Sequence, residues 1–202
     1  MYGKYLICLV TVSLIFVFTR VFSENKTLQK DKVYVNGYQF FIMDTTQIAG
    51  LRAKATADLF YRKKAYAKAL KYYEEAGKLL PNEADIYFNI GNIYAHEEVY
   101  TLAATYYKKA MEKYLLPENY GKTQKFYFLS LVRYGFCLYK EKDREENKEK
   151  ARAVVQELLD RESEIRTNFP DVVSEMEKLF KLMYGTTSVF RLNTSSTNSL
   201  TN

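Results

Sequence analysis

Small and aromatic residues return at a fixed interval through the middle of the chain. When residues 50–83 (GLRAKATADLFYRKKAYAKALKYYEEAGKLLPNE) are laid over residues 84–117 (ADIYFNIGNIYAHEEVYTLAATYYKKAMEKYLLP), Ala57 meets Gly91, Ala69 meets Ala103, Tyr73 meets Tyr107 and Ala76 meets Ala110. Every match falls at an offset of 34 residues. A constant period of that length marks a repeated structural unit whose copies stack on one another. Within each unit, a small residue in the first half and another early in the second half let two antiparallel helices approach. Phe60, Tyr73, Tyr94 and Tyr107 then fill the space beside them. Each unit therefore predicts a helical hairpin, with Tyr66 and Tyr100 at equal places just after the turn. Pro81 stands where the second helix of the first unit must stop.

A third, less regular unit starts at about Phe128. Leu131, Tyr134-Gly135 and Leu138 continue the first-helix pattern, and Ala151, Val155 and Leu158 the second. The step from Gly91 to Gly135 is 44 residues, ten beyond the period, which predicts a longer loop or an extended helix around ENYGKTQKFYF. From Gly135 to Ala151 is 16 residues where Gly91 to Ala103 is 12, which predicts a longer turn within KEKDREENKEK. After Pro170, Val173, Met176, Leu179, Phe180 and Met183 recur at helical spacing up to Gly185. This reads as a helix that caps the last apolar face of the stack.

On these residues the chain resembles the tetratricopeptide repeat family. The second unit carries the pattern most fully, with Tyr87, Ile90-Gly91, Tyr94, Tyr100, Ala103, Tyr107 and Ala110. The first carries Ala57, Phe60, Tyr66, Ala69, Tyr73, Ala76 and Pro81, with Ala53 where the family places a large aromatic. Gly135 and Ala151 extend the packing set into the third unit. The resemblance implies an all-α, right-handed solenoid of three helical hairpins and a cap over residues 49–185. It also implies a concave face that binds partner proteins, lined by Lys54, Asp58, Tyr61, Arg62, Asp85, Phe88, Asn89, Asn92, His96, Arg133, Phe136, Tyr139 and Lys140. Some members clamp a terminal carboxylate in that groove. Lys54, Asn89 and Arg133 stand at the matching places here, but Asp58 replaces an Asn and Leu129 a Lys. An aspartate there repels a carboxylate, so the mixed groove suits a folded segment of another protein better than an acidic tail.

The single histidine, His96, followed by Glu97 and Glu98, first suggests a proton shuttle or a metal corner. The repeat argues against it. The first unit has Arg62, Lys63 and Lys64 at the same three places, so this stretch reads as the turn of the second hairpin. No Gly-rich phosphate loop, HExxH or paired acidic site occurs, and neither a cofactor nor a metal is expected. An enzymatic role is not expected either. Cys8 and Cys137 form no evident pair.

The ends differ from the middle. Lys4 precedes an apolar run, Tyr5 to Thr19, that reads as an export signal over residues 1–23, either cleaved or retained as an anchor through residues 5–23. Residues 24–48 form a linker in which Asn36-Gly37, between Val- and aromatic-rich runs, predicts a small β-hairpin. Residues 186–202, rich in Ser, Thr and Asn, predict a disordered tail. The net charge of +6 is spread among Asp and Glu and does not form a nucleic-acid footprint. A Lys-, Asn-, Tyr- and Phe-heavy chain without Trp points to an A+T-rich bacterial genome and hence to the periplasm. Exported proteins of this kind, as the resemblance implies, serve envelope assemblies, among them the periplasmic collars of flagellar motors. A second reading is an accessory module that uses its aromatic residues to bind peptidoglycan, lipid or a small ligand.

Overall fold

The computed structural model describes residues 32–35, 38–41, 44–117, 124–141 and 143–185. The N-terminal apolar run, Asn36-Gly37 and the tail from 186 lie outside the described residues. The chain divides into two units, Met1–Asp44 and Thr45–Asn202.

In the first unit β1 (Lys32–Val35) pairs antiparallel with β2 (Tyr38–Phe41). The register runs from Lys32 opposite Phe41 to Val35 opposite Tyr38, on either side of the dipeptide at which the sequence places a turn.

The second unit holds eight helices among its described residues: α1 (Thr45–Arg62), α2 (Tyr66–Leu79), α3 (Ala84–His96), α4 (Tyr100–Tyr114), α5 (Gln124–Lys140), α6 (Glu145–Asp160), α7 (Glu162–Asn168) and α8 (Pro170–Tyr184). The pairs α1–α2, α3–α4 and α5–α6 are the three hairpins. None of the described helices is long and apolar enough to cross a membrane.

The hairpins are drawn together at their small residues. A Cβ placed on Gly91 would come within 2.9 Å of the Tyr107 ring, and one on Gly135 within 2.8 Å of Val154 and 3.1 Å of Leu179. Ala57, Ala69, Ala76, Ala103, Ala110 and Ala151 are fully buried, as is Tyr73. Tyr94 is half-buried and stacks on Tyr106, as Phe60 stacks on Tyr72 one period earlier, each with centroids 5.5 Å apart. Pro81 is exposed just past α2, and its carbonyl accepts the Tyr87 hydroxyl at 3.1 Å.

Second helices are also tied to first helices by tyrosine hydroxyls. Tyr73 donates to Asp58 at 2.6 Å, Tyr107 to Asn92 at 2.8 Å and Tyr114 to Asp85 at 2.7 Å, while in the third hairpin Tyr127 of α5 donates to Glu157 of α6 at 2.8 Å. The first two bonds are one period apart. Burial, and then the accepting carboxylate, push the Tyr73 and Tyr114 phenols far above their ordinary value. The same two causes, burial and then the bond to Glu157, push Tyr127 up to about 12.

The first two turns share one backbone. Lys64 (φ 57°) and Glu98 (φ 60°), again one period apart, sit in the left-handed region. The next residue closes each turn: Ala65 N–H bonds Phe60 O at 2.9 Å, and Val99 N–H bonds Tyr94 O at 2.9 Å. Left-handed backbone costs a residue with a Cβ about 1–2 kcal/mol, so these turns carry local strain that the packed helices on each side hold in place.

In the irregular third unit the first excess follows the extended-helix alternative, and the second departs from the expected longer turn. Both excess lengths are partly taken up by helix. α5 starts at Gln124, four residues ahead of the point equivalent to the start of α3 at Ala84. The turn before α6 is only one residue longer than in the other hairpins, and α6 gains its extra residues at its own start. Glu145 and Glu146 favour that start electrostatically, and they pair with Lys148 and Lys150 one helical turn on. The sequence reading also did not separate α7, whose Ile165 is fully buried. In α8 it is Val172, not Val173, that is buried with Met176, Leu179 and Phe180. The helix begins with Pro170 at its first turn and ends on Gly185 in the left-handed conformation (φ 72°).

Two outcomes are expected. Lys64→Gly and Glu98→Gly should each stabilise the protein by about 1 kcal/mol in urea unfolding, since glycine adopts the left-handed backbone without the Cβ clash; unchanged midpoints would disprove the strain. For the tyrosines, a folded-state pKa above the unfolded value gives stability that is complete below pH 10 and lost as the pH rises toward 12. The urea midpoint should therefore fall between pH 10 and 12, and Tyr127→Phe should make that fall shallower.

Candidate partner-binding groove

The side chains that face one another across the first helices come from α1, α3, α5 and α8, with Tyr107 of α4 beside them. Between them lies an opening of about 370 Å³. Tyr61 of α1 forms one end. Asn92, Ala95 and His96 of α3 form one wall, and Val132, Arg133 and Phe136 of α5 the other. Glu175, Lys178 and Leu179 of α8 close the far end. A shallower opening of about 360 Å³, lined by Asp58, Arg62, Tyr73 and Asn89, continues from Tyr61.

Asn92 organises the deeper part. Its Oδ1 accepts the Tyr107 hydroxyl at 2.8 Å and also accepts from the Arg133 guanidinium; its Nδ2 donates to Asn89 Oδ1 at 3.5 Å. Arg133 lies over the Phe88 ring, 4.9 Å from its centroid. The structure thus holds the guanidinium with a neutral amide and an aromatic face, and gives it no carboxylate partner among the described residues. Its remaining donors are available to a ligand. Phe88, placed on the binding face by the sequence, is only 8% exposed. It meets Tyr107 and Phe126 edge-on, so its main contribution is to support Arg133.

The acidic residues are already engaged. Asp58 accepts from Tyr73 and from Lys54, the latter at 3.3 Å, and Asp85 accepts from Tyr114. Arg62 reaches back to the Asp58 carbonyl at 3.4 Å. Lys54, whose place would suit a terminal carboxylate, therefore has its own counter-ion one helical turn away. Leu129 packs against the apolar core.

His96 faces the groove. Its ring is 4.5 Å from that of Tyr66 at the start of α2, so a residue of the second repeat rests on the first. Glu97 and Glu98 are exposed in the turn. Phe136 meets Tyr100 edge-on at 6.2 Å, the corresponding seam between the second and third repeats, and Lys140 Nζ sits 5.4 Å above its ring. Tyr139 packs against the core of the third hairpin and is not among the residues around either opening. Cys137 reaches the groove, but burial pushes its thiol up to about 12, so it stays protonated at neutral pH.

Among the residues the sequence reading missed, Ala95 of α3 and Val132 of α5 line the groove. Phe126, 37% exposed in the added turn of α5, lines neither opening and meets Phe88 edge-on. Glu175 and Lys178, paired at 2.7 Å, lie on α8. Treating that helix as the first helix of a further unit, and not merely as a cover, would have brought them into view.

No family model matches the chain and no curated protein does so either. Solved structures do. One is the N-terminal domain of stress-induced protein-1 (STI-1) from C. elegans, at 21% identity and a TM-score of 0.51, with 68% of this chain and 98% of that domain covered. Another is the Arabidopsis OM64 TPR domain, at 20% identity and 0.48, with 67% and 98% covered. A third is the first TPR of Spaghetti (RPAP3) bound to the HSP90 peptide SRMEEVD, at 15% identity and 0.49, with 67% and 93% covered. Likeness at this identity is a likeness of fold, and it agrees with the period of 34, the paired helices and the small-residue contacts. Residues 45–185 carry the tetratricopeptide repeat fold.

Proposed function

We propose that the chain is a non-enzymatic interaction scaffold that holds a segment of a partner protein in the groove between α1, α3, α5 and α8. The observation that carries this reading is the Arg133 guanidinium, fixed by Asn92 and Phe88 at an opening walled by Tyr61, His96 and Phe136. An oriented cation beside partly apolar rings can anchor a polypeptide, because the ordering cost is met before binding. Asp58 and Lys54 neutralise each other at the other end, which favours a partner segment with mixed chemistry over a purely acidic one. The setting belongs to the same proposal: the apolar run after Lys4 supports export to a bacterial periplasm, with the partners in an envelope assembly such as one associated with a flagellar motor.

Site-specific photo-crosslinking in cells tests this. A photoreactive residue at Tyr61 or Phe136 should yield adducts with a partner protein, and one at the exposed Glu112 should not. Arg133→Gln should lower the adduct yield about tenfold, the loss of one charge-assisted anchor. Adducts formed equally from Glu112, or none from the groove positions, would defeat the groove reading. Protease added to spheroplasts should digest the chain while a cytoplasmic marker survives; protection of the chain would defeat the export reading alone.

A further inference from the structure

The third hairpin differs from the other two at its turn, and the difference creates an opening. α6 begins with residues that have no counterpart in α2 or α4, and its start shares the lining of one opening with α4. Between them, over the apolar Ala104 and Leu138, is an opening of about 340 Å³. It is lined by α4, α5, the turn after α5 and α6, and shares only Cys137 with the groove.

Three cations from three elements border it: Lys108 of α4, Arg144 of the turn and Lys150 of α6. Lys150 is paired with Glu146. Lys108 and Arg144 have no ion pair among the described residues. Hydroxyls of Thr101 and Tyr134 border the same space, and Glu141 is its one acid. Like charges brought together from separate elements repel one another unless an anion lies between them. Donors carried by three elements around one opening suit a tetrahedral oxyanion better than a planar carboxylate, which presents two oxygens in one plane.

We propose that this opening binds a phosphoryl-type oxyanion, carried either by a soluble phosphorylated compound or by an anionic lipid headgroup. The proposal is independent of the groove. It is tested with the isotope-labelled full chain in neutral-detergent micelles, by following backbone amide shifts. In one arm inorganic phosphate is titrated against sodium chloride at equal ionic strength. In the other, phosphatidylglycerol is added to the micelles in place of phosphatidylcholine. Saturable shifts are expected at Thr101, Thr105 and Asn147. The exposed double variant Lys108→Gln/Arg144→Gln should weaken binding about tenfold or more, and Arg133→Gln should leave it unchanged. A response to phosphate alone identifies a soluble source, and a stronger response to phosphatidylglycerol identifies a headgroup. The absence of saturable shifts in both arms, or equal binding by the double variant, would overturn the proposal.

Discussion

A tyrosine ring pressed against a residue without a side chain organises the centre of the molecule. Tyr107 of α4 lies so near Gly91 of α3 that a single methyl group there would come within 2.9 Å of the ring. The contact brings the two helices together, and the tyrosine hydroxyl then has one acceptor within reach, Asn92 on the next residue of α3. That bond orients the amide, and the same Oδ1 takes the Arg133 guanidinium of the following repeat. A packing requirement inside one hairpin thereby becomes the placement of a charge in the groove. The first hairpin uses the same device with a different acceptor: Tyr73 bonds Asp58, which also draws in Lys54.

The groove accordingly has two electrostatic characters. At the first repeat, cation and carboxylate are neighbours and satisfy each other. At the second and third, the groups that hold the guanidinium among the described residues are uncharged, and α8 adds a balanced pair, Glu175 and Lys178. Such a surface presents local pairs of charge and not a uniform field, even though the chain as a whole is basic. The opening beside α6 has another origin. It arises where the repeat is broken by added residues, and it shares only Cys137 with the groove.

The repeat itself was legible in the sequence because its cause is local and steric. Small residues at Ala57, Gly91, Ala69 and Ala103 and rings at Tyr73 and Tyr107 are demanded by helix contact in every copy, so they recur at one offset. The ends of α8 were legible for the same reason, since Pro170 and Gly185 act through their own backbones. The third unit was harder to read. Its added residues could be helix or loop on propensity alone, and the balance went to helix in α5 and α6 through end charges and through packing of residues such as Tyr127 on Glu157. α7 is too short to show a periodic stripe, and its one buried residue, Ile165, carries no pattern by itself.

The sequence by itself determined the class of structure, the helical hairpins of the first two repeats, the turn after His96 that contains Glu97 and Glu98, and the cap. Each of these follows from spacing along the chain. What only the tertiary structure decided is which polar groups remain available once the helices have packed. Phe88 became a support for Arg133, Asp58 and Asp85 became acceptors for tyrosines, His96 was set against Tyr66, and α8 supplied groove residues. The physical reason is that a hydrogen bond or ring contact depends on distances between residues 15 to 45 positions apart in sequence, and those distances are set only when the repeats stack.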